Sequence, residues 1–200
     1  MKKITAGKFE TNTYMINSGD ECILIDPGYE IAQYLEEIKK YKVVAVLLTH
    51  CHCDHLDGIG MFDCPIYIHE LDYPGMTNHC NLYNMLGDIP SFDFKKLNIV
   101  KVHGGNTLQI SNFSIEVIHT PGHTQGSCCY LHKDVLYTGD TLFQNSIGRT
   151  DFPTGDHKIL LKSLKQIVDG VDPKTKICPG HGPNSTLKDE KKNNVFVKTL

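Results

Sequence analysis

Several features that mark other protein classes are absent from this chain of 200 residues. No run reaches the roughly 18 consecutive apolar residues that a membrane-spanning helix requires, which argues against a membrane partner. The stretch Ile4-Thr5-Ala6-Gly7-Lys8 supplies no apolar core for a signal peptide, and we therefore expect a cytoplasmic protein. The formal net charge is -3, whereas nucleic-acid binding needs a basic surface. We accordingly expect a small-molecule substrate and no nucleic acid.

Cysteine patterns typical of zinc sites or disulfide scaffolds are also missing. The chain has eight Cys but no Cys-x-x-Cys pair, and most of them lie within apolar runs. A chain this long can bury a core without cross-links, so we interpret them as small buried hydrophobic residues in a reducing compartment. The ordinary composition, with 40% hydrophobic and 22% charged residues, predicts one domain over residues 1–200.

Arginine is scarce, since Arg149 is the only Arg among 20 basic residues. A position that keeps Arg where the rest of the chain uses Lys is expected to need the planar guanidinium fork. Two interpretations stay open. The fork binds an anionic substrate, or it pairs internally with Asp151 or with a backbone turn.

Histidine, in contrast, is concentrated: three of the eleven His fall within His50-Cys51-His52-Cys53-Asp54-His55. This segment follows residues 43–48, an apolar β-branched run that predicts a buried strand. His50 and His52 are two residues apart and cannot share a helix face. On an extended chain, the period of two directs His50, His52 and Asp54 to one side and both Cys to the other. Imidazole and carboxylate suit Zn²⁺ and iron, so the sequence predicts a metal site at a strand end.

The predicted strands and helices form two successive series of similar order along the chain. This order favours an α/β protein in which two mixed sheets pack together with helices outside. Asp156 is placed to cap the clearest helix. Strands are predicted at residues 14–16, 22–25, 43–48, 65–68, 115–118, 127–131, 135–137 and 175–178, and helices at 30–40, 156–168 and 187–197.

Residues 72–98 show no clear period and form the longest irregular segment. Loops of this length are usually functional or mobile. The aromatic residues in it either wall a substrate pocket or anchor the segment on the core, and both interpretations stay open for Tyr73, Tyr83, Phe92 and Phe94.

Three later predicted strands end in turns with further ligand candidates, because glycine and proline there let the backbone bend sharply and approach a ligand. These turns are His119-Thr120-Pro121-Gly122-His123, Thr138-Gly139-Asp140 and Pro179-Gly180-His181-Gly182. Four strand ends that deliver His, His, Asp and His to one rim would form a metal-lined active site.

The ordered ligand candidates resemble those of the metallo-β-lactamase superfamily. The segments 139–143 and 146–153 are similar to those of the glyoxalase II-like hydrolases, and the similarity covers nearly the whole chain. The resemblance implies the metallo-β-lactamase fold, an αββα sandwich of two mixed β-sheets flanked by helices. It implies a first metal held by His50, His52 and His123, a second held by Asp54, His55 and His181, and Asp140 bridging both.

The resemblance further implies a binuclear metallohydrolase of small acyl thioesters. The cofactors would be two divalent ions, Zn²⁺ by default with iron or manganese as alternatives. Asp54 would be the catalytic residue that orients the attacking water and takes its proton. Full-length glyoxalase II proteins carry a C-terminal helical extension that grips glutathione. This sequence shows none after His181, so glutathione itself is not expected to be the preferred carrier.

Other functions remain as alternatives. Persulfide dioxygenases, which use one iron held by two His and one Asp, resemble this chain around residues 139–140 and 148–152. A nuclease of the same superfamily would need a basic surface, and a non-catalytic metal-binding module would not need every ligand position filled.

Outside the ligand set, most histidines are expected to be structural. His119 is assigned to the core or to the support of a ligand, and Asp26 and Asp57 either orient metal-bound His or simply form turns. Surface or structural roles are expected for His69, His79, His103, His132 and His157.

Overall fold

The computed structural model describes residues 1–77 and 92–200, with the side chain of Thr77 left out. Its first six-stranded sheet pairs in chain order, antiparallel among the first three strands and parallel among the rest. Strands β2 to β5 overlap the strands predicted at 14–16, 22–25, 43–48 and 65–68, whereas β6 was not predicted. Its strands are β1 (Lys2–Ala6), β2 (Thr11–Ser18), β3 (Glu21–Ile25), β4 (Lys42–Leu47), β5 (Ile66–His69) and β6 (Ile99–Val102).

The second six-stranded sheet is also mixed, in the order β14-β13-β10-β9-β8-β7. Only the β10–β13 pair is parallel. A separate two-stranded ribbon is formed by β11 and β12. The strands are β7 (Thr107–Ile110), β8 (Phe113–His119), β9 (Cys128–His132), β10 (Val135–Gly139), β11 (Leu142–Phe143), β12 (Ser146–Ile147), β13 (Lys176–Pro179) and β14 (Ser185–Thr186).

Three apolar clusters show how the layers stack. Alternate residues of one strand enter different clusters, as the period of two requires. Ile23 and Leu47 meet Tyr130 of the second sheet in the central cluster, whereas Leu24 faces the outer helices. On the far side, Leu164 of a helix packs on the second sheet. The order helix, sheet, sheet, helix confirms the predicted αββα sandwich.

The predicted helices are present with shifted ends: the helix predicted over 156–168 extends to Gly170, and the one predicted over 30–40 is a 3-10 turn followed by a short α-helix over 31–38. A side-chain oxygen of Asp156 accepts a hydrogen bond from the Ile159 amide, which confirms the predicted cap of the helix that begins at His157. The predicted helix at 187–197 is wrong beyond residue 193, where the α-helix ends and a 3-10 turn, Val197–Thr199, follows. The helices are α1 (Leu35–Ile38, continuing the 3-10 turn Ile31–Tyr34), α2 (Cys53–Leu56), α3 (Tyr73–Thr77), α4 (His157–Gly170) and α5 (Leu187–Asn193).

The irregular segment is described only at its ends. Tyr73, Phe92 and Phe94 are half-buried and pack on the cluster outside the first sheet, which supports their role as core anchors. Tyr83 and His79 lie outside the described residues. Among residues 1–77 and 92–200, no helix combines the length and the apolar character needed to cross a bilayer.

Candidate metal centre

All seven ligand candidates lie at one rim of the sandwich, in the connections that follow strands β4, β8, β10 and β13. The carboxyl ends of β4, β10 and β13 lie at this rim. The connection that follows each of these strands therefore contributes at least one ligand candidate. The residues brought together are His50, His52, Asp54, His55, His123, Asp140 and His181.

The prediction that Asp54 extends the alternation of His50 and His52 is wrong. The chain is extended at His52 (φ -70°, ψ 142°), but helix α2 begins at Cys53. The helical turn rotates Asp54 away from the two histidines and toward a second group of ligands. Cys51 and Cys53 pack in the apolar cluster, as expected.

The first group consists of three buried histidines, His50, His52 and His123. Their ring centroids are 4.5 to 4.7 Å apart, and His52 Nδ1 lies 2.8 Å from His123 Nε2. Donors that share one tetrahedral ion at about 2.0–2.1 Å are themselves about 3.3 Å apart. This convergence therefore fits one divalent ion.

The second group consists of Asp54, His55 and His181. Asp54 Oδ2 lies 3.4 Å from His55 Nε2 and 3.2 Å from His181 Nε2, and the two Nε2 atoms are 3.3 Å apart. All three distances are close to the donor spacing around one tetrahedral ion.

Asp140 stands between the two groups. Its Oδ1 is 3.3 Å from His55 Nε2, while its Oδ2 is 3.5 Å from His123 Nε2 and 3.6 Å from His181 Nε2. One carboxylate therefore faces ligands of both groups, as a bridging ligand must.

The orientation of the imidazole rings favours ligation. Three Nδ1–H groups donate to protein oxygens, from His55 to Asp26 Oδ2 at 3.0 Å, from His123 to the Arg149 carbonyl at 2.7 Å and from His181 to the Phe9 carbonyl at 2.9 Å. These bonds fix the tautomer, so each Nε2 lone pair points into the centre.

His50 is oriented through Thr49. The Thr49 hydroxyl donates to Asp26 Oδ2 at 2.7 Å, so its oxygen is left to accept from His50 Nδ1 at 3.1 Å. The Nε2 atom of His50 then carries the lone pair. Asp26 therefore supports both groups, through Thr49 on one side and His55 on the other, in agreement with one of its two predicted roles.

Two buried side-chain atoms in the described residues lack a hydrogen-bond partner, His50 Nε2 and Asp140 Oδ1. Both are lone-pair acceptors, and unsatisfied buried acceptors are costly in a folded protein. A cation between them would satisfy both, so the residues present fit a bound metal.

The electrostatics of the two groups differ. Burial and the neighbouring His123 lower the pKa of His52 to about 3, so this imidazole is neutral and ready to ligate. Burial also disfavours protonation of His55, but Asp54, Asp140 and Asp26 together raise its pKa well above the usual value. The second group therefore has an excess of negative charge that a divalent cation would balance.

The centre forms the floor of an open cleft of about 310 Å³. Arg149 lies over the Phe152 ring at 3.8 Å, and its Nε and Nη2 each donate to Asp151 at 2.7 Å. Of the two interpretations of Arg149, the structure confirms the internal pairing of its guanidinium with Asp151. The cleft is lined by Phe9, His52, Cys53, Asp54, His123, Asp140, Arg149, Phe152 and His181.

Some supporting residues were not predicted from the sequence. Thr11, at the start of β2, donates to Asp54 Oδ2 at 3.0 Å, and it also forms a β-bridge with His181. Nothing around Thr11 in the sequence indicates this contact. His119 donates its Nε2–H to the Gln125 carbonyl at 3.0 Å and stacks on His69, outside the ligand groups as expected. The role of Asp57 stays a prediction.

Gly148 permits the close approach that places Asp140. A Cβ at position 148 would lie 1.8 Å from the Asp140 carbonyl oxygen. We expect Gly148→Ala to displace Asp140 and lower metal affinity by about 10–100-fold, as loss of a supporting partner does. Titration of the metal-free protein with Zn²⁺ measures this. Gly170→Ala, whose added Cβ would meet no atom within 4 Å outside its own stretch of helix, is the matched control. Equal affinities for the two variants would contradict the role of this contact.

Comparisons with known proteins agree with this architecture. The family model for the metallo-beta-lactamase superfamily matches residues 6–181. The chain is 31% identical to hydroxyacylglutathione hydrolase GloC of Haemophilus influenzae, over 96% of this chain and 94% of the relative.

Two solved structures superpose with a TM-score of 0.85 each. One is the BLEG-1 B3 metallo-beta-lactamase, 33% identical and covered over 98% of both chains. The other is TTHA1623 in a di-iron-bound form, 32% identical over 98% of this chain and all (100%) of that one. The match of the family model over most of the chain, together with the ligand rim of the αββα sandwich, shows that this protein belongs to the metallo-β-lactamase superfamily.

Proposed function

We propose that this protein is a binuclear metallohydrolase that cleaves small acyl thioesters. The observation that carries the proposal is the pair of three-residue ligand groups with Asp140 between them, at the floor of an open cleft. His50, His52 and His123 would hold one divalent ion, and Asp54, His55 and His181 the other. Zn²⁺ is the default occupant, and iron or manganese would also suit these nitrogen and oxygen donors.

Bound divalent ions supply Lewis acidity toward a carbonyl oxygen and lower the pKa of a water molecule to around 7. The protein contributes the orientation of that water. Although burial opposes it, His55 and the hydrogen bond with His181 lower the pKa of Asp54 to about 2. Asp54 is therefore an anion that lines the cleft, where it can accept a hydrogen bond from the attacking water and orient it.

The walls of the cleft suit an acyl group. Phe152 lies edge-on to His52 with ring centroids 5.8 Å apart, and Phe9 lines the same cleft. These rings supply apolar surface beside the polar floor, which is the usual composition of a small-molecule site. The similarity to a hydroxyacylglutathione hydrolase supports a thioester as the bond that is cleaved.

The test is a substrate panel with the metal-loaded protein, assayed with and without oxygen. Acyl thioesters of glutathione and of a small thiol should both release free thiol, at equal rates under anaerobic conditions, because water is the co-reactant. A protein whose metal is bound but which leaves every thioester intact would overturn the proposal. Oxygen consumption with glutathione persulfide would instead identify the persulfide dioxygenase.

A second candidate is β-lactam hydrolysis, which the similarity to the BLEG-1 lactamase favours. A chromogenic cephalosporin in the same panel separates the two activities. We expect its turnover to be far slower than that of the best thioester, and the reverse order would favour the lactamase.

A further inference from the structure

A buried carboxylate outside the ligand set joins two segments of the metal centre. Asp72 is 2% exposed and lies just before helix α3. Its Oδ2 accepts the Cys51 amide at 3.0 Å and the Thr124 hydroxyl at 2.7 Å, and its Oδ1 accepts the Gly126 amide at 2.7 Å. Each carboxylate oxygen therefore has a protein donor.

The partners of Asp72 are neighbours of the first ligand group. Cys51 lies between His50 and His52 in the sequence, and Thr124 directly follows His123. The Asp72 carboxylate thus connects the segment that carries His50 and His52 to the turn that carries His123. The turn comes close because position 126 is Gly, where a Cβ would lie 2.5 Å from the Asp72 amide nitrogen.

The second group is supported differently. Asp26 holds His55, Thr11 holds Asp54, and the Phe9 carbonyl holds His181. The three hydrogen bonds of Asp72 reach Cys51, Thr124 and Gly126, none of which lies in helix α2 or beside His181. Asp26 therefore reaches both groups, through His55 and through Thr49 beside His50, whereas the hydrogen bonds of Asp72 lie on the side of the first group.

We propose that Asp72 is a positioning residue that sets the metal affinity of the first site selectively. The proposal rests on the two-site centre proposed above. Three hydrogen bonds to one charged acceptor hold the spacing between His123 and the other two histidines, and a misplaced ligand weakens binding of the ion they share. Loss of such an outer partner lowers metal affinity by about 10–100-fold.

Two parent variants, each with only one intact metal site, allow the effect of Asp72 on each site to be measured separately. His181→Ala leaves the first group intact, and His52→Ala leaves the second intact. Asp72→Asn keeps the size of the side chain but replaces one acceptor oxygen by an NH₂ donor. We expect it to weaken Zn²⁺ binding by about 10–100-fold in the His181→Ala background and by less than about 3-fold in the His52→Ala background. Zn²⁺ titration of the metal-free proteins with a chromophoric chelator measures both affinities.

Glu190→Gln is the matched control. Glu190 is also a buried carboxylate. It accepts hydrogen bonds from the Asn145 amide and from the Ser185 and Asn194 side chains. It should reduce thermal stability without changing first-site affinity. Equal weakening of both sites by Asp72→Asn, an unchanged first site, or the same first-site loss with Glu190→Gln would overturn the proposal.

Thr124→Val is the second variant, should Asp72→Asn not fold. It removes one of the three hydrogen bonds and keeps the shape of the side chain, so a smaller first-site loss is expected. An unchanged first site in this folded variant would contradict the proposal as well. These titrations use no substrate, so a protein that binds metal as described but hydrolyses no thioester would refute the proposed function alone.

Discussion

Replacing Asp54 by Ala is expected to lower kcat for thioester hydrolysis by at least about 10²-fold, the low end for loss of a positioned acid–base group. The carboxylate is both a ligand candidate of the second group and the anion that faces the cleft. The Thr11 hydroxyl donates to its Oδ2, so removal of the side chain also leaves this hydroxyl without its acceptor.

Assays at saturating metal concentration distinguish the role of Asp54 as a metal ligand from its role in orienting the attacking water. At metal concentrations that fill both sites, Asp54→Ala should still turn over slowly, because the group that orients the water is missing. Asp54→Asn keeps an oxygen for Thr11 but loses the charge, and we expect a similarly low kcat. Asp169→Ala removes an exposed carboxylate that pairs with Lys165 and is the surface control. Full metal occupancy with near-wild-type kcat in Asp54→Ala would exclude the proposed catalytic role.

The architecture followed from local patterns that the sequence displays directly. The apolar run before His50 predicts β4, and the apolar spacing after Asp156 predicts α4, because each pattern depends on neighbouring residues alone. The two similar series of predicted strands and helices indicated two mixed sheets with helices outside, and the resemblance of the ordered ligands implied the αββα sandwich, since periodicity indicates strands and helices but not their order in a sheet. The structure confirms that arrangement.

The division of ligands between two groups depends on where one short helix begins. An extended chain and a helical turn place Asp54 on opposite sides, and four residues of helix, Cys53–Leu56, are too few for a clear period. Alternation was therefore the wrong pattern for Asp54. Tertiary contacts that stabilise α2, which no local pattern shows, decided the outcome.

The supporting residues are the least predictable part of the site. Asp26 is 29 residues from His55 in the chain, and the Phe9 carbonyl is 172 residues from His181. Asp26 was a candidate because it lies at a turn after a strand. Asp72 lies in a segment with no clear period, and a carboxylate there has the same sequence appearance as a solvated surface residue. Only the folded chain shows its three donors.

Replacing Asp140 by Asn is expected to weaken both metal sites together, with a loss of affinity greater than the about 10–100-fold caused by loss of an outer partner. The reason is the position of one carboxylate between the two groups, with Oδ1 toward His55 and Oδ2 toward His123 and His181. An amide in its place removes a negative charge that two cations would share. His52→Ala and His181→Ala, which each remove a ligand of one group only, are the matched comparisons.

Elemental analysis after equilibration with buffered Zn²⁺ measures the result. The native protein should hold close to two ions per chain, His52→Ala and His181→Ala close to one, and Asp140→Asn close to none at the same free metal concentration. A native protein that reproducibly holds one ion at full activity would refute the binuclear centre. Loss of only one ion from Asp140→Asn would assign this carboxylate to a single site, because a shared ligand cannot be removed from one ion and kept on the other.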